Sequence, residues 1–411
     1  MTIAAKKSNV TTTVYDTEDL LTGCQAVAQA VRLADVDVIA AYPIRPYTEV
    51  MDAISKIIAD GGLDAEYMIA DSEHSQFEIV KHASSVGARA FAGSSGTGWC
   101  YGFEALVVTA TDRLPVLFLV GNRALDDPGA FGVEHNDAMA VRDMGWLLCW
   151  ASTAQEALEH VLLGYRIAED ARVRMPMALA MDGGFLTHSQ HMVKMPSAEA
   201  VRRFLPPYTL GDRVLHPDNP ISIAPQVNED WVMELRRQNW EAARRARGVI
   251  TEAYQEFNAI FGTHYTSPFF DEFMTEDADA VLIGVGTVAM PARTAVRRLR
   301  AQGQKVGYVN LRWFRPFPTV ELRACLERFK AVGVIDRDFA HGSPDDGGIL
   351  LHEVRSCVYP ARQRPAIVNF IAGLGGRDVS IGNCATMLES ALAAIGNEAA
   401  DGSVTWINVR E

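Results

Sequence analysis

The stretch PVLFLVGNR, residues 115–123, is an unbroken apolar run that ends on glycine, asparagine and arginine. It does not alternate polar with apolar residues, so a strand made from it has no face for water and is buried on both sides. The same pattern repeats outward from it. Upstream lie ARAFAGSS (88–95), EYMIADSE (66–73) and VDVIAAYP (36–43), and downstream lies MPMALAMDG (175–183). Stretches read as helices, over Gly23–Leu33, Glu49–Ala59 and Gln76–Val86, lie among them. Doubly buried strands separated by helices predict a doubly wound parallel sheet, an α/β domain over residues 1–190.

In such sheets ligands bind beyond the carboxyl ends of the strands. YPIRP (42–46), DSEH (71–74), GSSGTG (93–98) and GNRALDDPG (121–129) all fall just after predicted strands, so one edge of the sheet gathers polar and glycine-rich loops. Residues 191–262 read differently. A proline-rich arm, with PP at 206–207 and HPDNP at 216–220, leads into a long polar helix over Asn228–Ile260. Its arginines are interspersed with Glu and Trp, which is the pattern of a solvated or subunit-facing helix. From 263 to 411 a second α/β domain is expected, with strands in ADAVLIGVG, KVGYVNLR, KAVGVIDRD and PAIVNFIAGLGG.

Composition removes several function classes. A formal net charge of -13 over 411 residues argues against a nucleic-acid partner and offers an anionic membrane nothing to hold. No apolar run is long enough to span a bilayer, and MTIAAKKSNVTTT (1–13) has no apolar segment of a secretory signal, so the cytoplasm is the expected location. The cysteines stand at 24, 100, 149, 325, 357 and 384 with no Cys-x-x-Cys pair, so they read as buried thiols and no metal ligand is expected in this chain. GVGTVA (284–289) resembles a weakened dinucleotide fingerprint. The strand after it ends in Asn310, Leu311 and Arg312, without the acidic residue that would hold a ribose, so its glycines are read as serving a tight turn and close packing.

Taken together, YPIRPYTEV (42–50), SEHSQFEIVKHASSVGARAF (72–91), GNRALDDPG, EHNDAMAVRDMGW (134–146) and MDGGFLTHS (181–189) resemble the first domain of the pyruvate:ferredoxin oxidoreductase family. RWFRPFP (312–318), VIDRD (334–338) and AGLGGRD (372–378) resemble its second domain. The resemblance runs in order through nearly the whole chain. It implies a thiamine-diphosphate pyrimidine-binding domain followed by a transketolase C-terminal-like domain, together the alpha subunit of a 2-oxoacid:acceptor oxidoreductase. It further implies that a 2-oxoacid is decarboxylated on thiamine diphosphate while electrons leave through iron–sulfur clusters.

The same resemblance places residues in roles. Pro43, Ile44 and Glu73 are implied to hold the cofactor pyrimidine, with the Glu73 carboxyl driving the ring to the tautomer that can take a proton. Arg123 is implied to bind the substrate carboxylate, for which a planar, permanently charged guanidinium is suited. The alternative for Arg123 is an ion pair with Asp126 or Asp127, three and four residues on, and Asp126 could also exchange places with substrate there. Arg45 departs from the pyruvate enzymes, which carry a threonine between the two prolines. It adds a second anion-binding group, unless it simply pairs with Glu49.

No Gly-Asp-Gly occurs, so the metal-bridged diphosphate site, with its Mg, is expected on a beta subunit. Gamma, ferredoxin-like iron–sulfur and flavin or NAD subunits are the other expected partners, carrying the iron–sulfur clusters and FAD. YPIRPYT fits the family members that act on phenylglyoxylate and on oxalate better than those that act on pyruvate. Trp99, Tyr101, Phe103 and Phe131 offer either plain core or an aromatic slot, and the slot favours phenylglyoxylate plus CoA going to benzoyl-CoA; Arg45 with Arg123 would suit oxalate, with no CoA. A non-catalytic scaffold subunit and a free-standing NAD dehydrogenase are the readings from other classes.

Overall fold

The computed structural model describes residues 14–126, 128–397 and 400–410. The N-terminal stretch 1–13 and Asp127 lie outside the described residues. The first sheet has seven strands in the order Trp313–Arg315, Leu147–Ala151, Met177–Asp182, Leu117–Asn122, Ala90–Ser94, Val38–Ala41 and Glu66–Ile69. Its neighbours are parallel except Trp313–Arg315, which runs antiparallel to Leu147–Ala151. Four central strands are buried at every position, as unalternated apolar runs require.

Strand order places the crevice. The chain passes from Val38–Ala41 to Glu66–Ile69 on one side, then returns to Ala90–Ser94 on the other. That reversal is a topological switch point, and the loops after Val38–Ala41 and Ala90–Ser94 part there. These loops carry Pro43–Pro46 and Ser95–Gly98.

A second sheet runs Val404–Trp406, Ala366–Ile371, Ala331–Asp336, Ala280–Val285, Val306–Leu311 and Phe270–Phe273, antiparallel only at its last pair. The expected fold, a doubly wound α/β domain with a second α/β unit after it, is the one the chain adopts. Where GVGTVA falls, the structure has an ionic joint and not a dinucleotide turn. Gly286 has φ +72°, and a Cβ there would meet Asp182 Oδ1 at 2.7 Å. Asp182, at the end of its strand in the first sheet, accepts from Thr287 N at 2.9 Å and from the Thr287 hydroxyl, and it pairs with Arg337 at 2.6 Å and His135 at 2.8 Å. All four groups are buried, so the two sheets share one desolvated charge cluster.

Several elements differ from the sequence reading. The proline-rich arm opens with a strand, Gln190–Pro196, paired antiparallel with Tyr15–Thr22, and a helix, Ala198–Phe204. Beyond Phe204 the arm is largely irregular as far as the long helix. RWFRPFP, expected within the second domain, sends Trp313–Arg315 back to the edge of the first sheet. Helix Glu73–Ser85 begins three residues before the expected Gln76, because Ser72 caps it by accepting from Ser75 N at 3.1 Å. The strand Leu147–Ala151 and the helix Ala154–Ala168 are not among the expected elements, although Thr153, which caps the helix by accepting from Glu156 N at 3.1 Å, sits in a Thr-x-x-Glu start signal. The long helix is Glu229–Phe261, capped by Gly262 at φ 66°. Five cysteines are buried and Cys100 is half-buried. Among the described residues no helix is long and apolar enough to cross a membrane.

Candidate functional site

At the switch point, Glu73 is the first helical residue after the edge strand, and its side chain turns inward to 8% exposure. It meets the loop after Ala90–Ser94. A Cβ on Gly98 would collide with Glu73 Oε1 and stand 2.6 Å from Ile44 Cδ1, so glycine alone allows the three to close on one another. Pro46 is wedged behind: a Cβ on Gly121 would reach its Cγ at 2.8 Å, and Cys24 Sγ points at its carbonyl oxygen from 3.9 Å. Pro43 and Arg45 are exposed on the outer side of this loop.

Arg123 stands directly after the central strand Leu117–Asn122. Its guanidinium donates to Asp126 Oδ2 at 3.2 Å and to the Arg45 carbonyl at 3.4 Å, and it lies 4.9 Å from the ring centre of Phe131. Thr97 holds the same Asp126 oxygen at 3.1 Å. Glu49, the alternative partner of Arg45, is instead 3.0 Å from His188 Nε2.

Beneath Arg123 lies a residue that no sequence signal singles out. Asp137, fully buried, accepts from Arg123 N at 2.9 Å, Gly96 N at 2.9 Å and Asn122 Nδ2 at 2.7 Å. It ties the Gly96–Gly98 loop to the Arg123 strand end. Burial pushes its carboxyl up to about 6 against the restraint of those hydrogen bonds.

The aromatic slot does not form as expected. Trp99 is fully buried and packs edge-on against Phe77, Phe118 and Trp146 at 5.5, 5.8 and 5.7 Å between ring centres, so it is core. Tyr101, Phe103 and Phe131 are exposed. His74, Glu78 and Glu104 stand close enough together to interest a metal, but Lys81 already pairs with Glu78 at 2.6 Å.

A thiamine pyrimidine has a place to go here. Among the described residues nothing hydrogen-bonds the Glu73 carboxylate, although it is largely buried. A largely buried carboxylate that no described group satisfies is free to accept a hydrogen bond, and a ring nitrogen entering beside Ile44 would supply the donor. The residues present fit.

Residues 29–255 match the family described as pyruvate flavodoxin/ferredoxin oxidoreductase, thiamine diphosphate-binding, and residues 278–384 match pyruvate:ferredoxin oxidoreductase core domain II. The chain is 35% identical over 392 residues to pyruvate synthase subunit PorA of Methanocaldococcus jannaschii, covering 95% of this chain and 98% of that one. It is 35% identical over 395 residues to ketoisovalerate oxidoreductase subunit VorA of Pyrococcus abyssi, again covering 95% and 98%. Among solved structures, the 2-oxoglutarate:ferredoxin oxidoreductase of Magnetococcus marinus shares the fold at TM-score 0.69 and 17% identity, over 91% of this chain and 65% of that one. A split-gene transketolase shares it at TM-score 0.56 and 12% identity, over 91% of this chain and 99% of that one. The chain belongs to the thiamine-diphosphate-dependent 2-oxoacid:ferredoxin oxidoreductase family, as an alpha subunit.

Proposed function

We propose that this chain supplies the pyrimidine and substrate-carboxylate side of an active site completed by a partner chain. The observation that carries this is the buried, unpartnered Glu73 carboxylate facing Ile44 across Gly98. Bound thiamine diphosphate would supply the carbon nucleophile that attacks the 2-oxo group. Glu73 would hold a proton between its carboxyl and the ring nitrogen, Pro43 and Ile44 would set the ring's plane, and Arg123 would orient the substrate carboxylate. Asp126, on Arg123 from 3.2 Å, would yield its place when substrate enters. A beta subunit would carry the diphosphate and Mg. Gamma, iron–sulfur and flavin or NAD subunits would complete the complex and take two electrons.

For the substrate we favour an arylglyoxylate: phenylglyoxylate plus CoA giving benzoyl-CoA, CO2, two electrons and a proton. Supporting it is the exposed Phe131 ring against the Arg123 guanidinium, an aromatic wall beside the carboxylate anchor. Oxalate is the second reading, favoured by Arg45, whose exposed guanidinium has no carboxylate partner among the described residues. The test is turnover of the purified complex on phenylglyoxylate with CoA, on oxalate without it, and on pyruvate and ketoisovalerate with CoA. Preferred turnover of phenylglyoxylate is expected. Turnover confined to pyruvate or ketoisovalerate would overturn the arylglyoxylate reading and leave the role of Glu73 standing.

A further inference from the structure

A second cavity of about 460 Å³ lies at the opposite edge of the first sheet from the site around Glu73 and Arg123. Its floor includes Thr111–Pro115, just before the strand Leu117–Asn122, and Arg174, just before Met177–Asp182. Six residues of strand at about 3.3 Å each set it some 20 Å from Arg123. The irregular arm after Phe204 and the first turns of the long helix form its other walls.

Four arginines line it, Arg113, Arg174, Arg213 and Arg236, against two carboxylates, Asp112 and Asp212. Arg174 is paired with Asp212 at 2.9 Å. Arg113 and Arg213 spend their hydrogen bonds on backbone carbonyls, at 2.6 Å to Val173 and at 3.3 and 3.5 Å to Arg113 and Asp112. Neither of them, nor Arg236, pairs with a carboxylate among the described residues. Arg113 Nε is fully buried without a partner. Both Arg113 and Arg174 hold left-handed backbone, with φ 56° and 44°, a conformation that arginine adopts at a cost. In a chain of net charge -13, such a surplus of cations around a void is not explained by the chain itself. Burial, then the neighbouring Arg213, Arg245 and Arg174, push the Arg113 guanidinium down to about 10, so an entering anion would relieve a real repulsion.

Tyr208, Leu210, Ile223 and Val232 give the same void apolar surface, beside the polar Ser222, Gln238 and Asn239. The volume lies within the roughly 300–1,000 Å³ of small-molecule sites, and arginine forks match phosphate oxygens two at a time. We propose that this cavity binds an organic phosphate of nucleotide size, with its phosphate groups on Arg113, Arg213 and Arg236 and its body against Tyr208 and Leu210.

Calorimetric titration of ADP and of inorganic pyrophosphate into the assembled complex and the full-length chain tests this. ADP should bind both saturably and more tightly than pyrophosphate. The Arg213→Ala, Arg236→Ala double variant should weaken ADP by about tenfold or more, as loss of charge-assisted hydrogen bonds implies. Turnover on the 2-oxoacid should be unchanged, and the charge-keeping Arg213→Lys should lose less affinity than Arg213→Ala. Slowed backbone hydrogen exchange over 206–227 on ADP addition would locate the ligand without any substitution. Absence of saturable binding, binding indifferent to the double variant with no protection of 206–227, or binding that vanishes once partner chains assemble would each overturn the proposal.

Discussion

On the proposed reading, Arg123 would touch the substrate anion, while Asp137 would act only through the backbone that carries Arg123. Arg123→Ala is expected to raise KM for the 2-oxoacid and lower kcat/KM by about 30- to 1000-fold, the loss of roughly 2–4 kcal/mol of charged hydrogen bonding. Steady-state kinetics of the assembled complex checks it. Asp137 acts through the backbone amides of Gly96 and Arg123, and its carboxyl sits at about 6 because of burial. Since that value is raised above the ordinary carboxylate, ionised Asp137 costs folding energy above about pH 6, and acidification toward pH 4 relieves the cost. Protonation also weakens its grip on both amides. Turnover should therefore fall with an apparent pKa near 6 as pH drops, while acidification through the same window raises thermal stability through this group. The pH profile of Asp137→Asn should be flat across the same window, from a rate lower by about 10- to 100-fold. Arg123 stands out through the family resemblance and its place after an apolar strand, whereas Asp137 does not. Its partners are 14 and 41 residues away, and nothing local in EHNDAMA marks a buried hub.

Loops at the carboxyl ends of the strands are legible as a group because each comes after an unalternated apolar run. Their closing on one another is less so. The role of Gly98 depends on Glu73 leaving a helix N-terminus and Ile44 leaving another loop at the same height, a matter of three-dimensional register. Gly98→Ala places a Cβ within 2.6 Å of both, so Glu73 or Ile44 must move. Overpacking of this kind costs roughly 1–3 kcal/mol. Thiamine diphosphate affinity of the complex should drop by about tenfold or more, with far-UV circular dichroism unchanged. Trp99 misleads for a related reason: its loop borders the site, yet the helix Gly96–Tyr101 turns the indole into the core among Phe77, Phe118 and Trp146.

Across the whole molecule, two sheets are coupled through Asp182, whose partners Thr287 and Arg337 come from the second sheet's loops. GVGTVA looks like a nucleotide turn because a glycine at positive φ and a helix start suit any anion, and here the anion is the protein's own carboxylate. Burial pushes the Asp182 carboxyl up, but Arg337 and His135 outweigh it and hold it well below the usual range. Its stabilising contribution is thus complete at neutral pH and lost only as pH falls below the ordinary carboxylate range. Asp182→Ala leaves Arg337 buried and unpaired, at a cost of roughly 3–5 kcal/mol, and a scanning calorimeter should record a lower Tm with the two sheets melting less cooperatively. The return of Trp313–Arg315 to the first sheet adds a second tie that three residues of antiparallel strand are too short to announce. The central claim is that this chain brings the proton-handling carboxylate to a site finished by a partner. Its most direct test is thiamine-diphosphate-dependent oxidation of a 2-oxoacid by the complex reconstituted with Glu73→Gln. The expected result is full assembly with turnover reduced by about 100-fold or more. Wild-type turnover in that complex would contradict it.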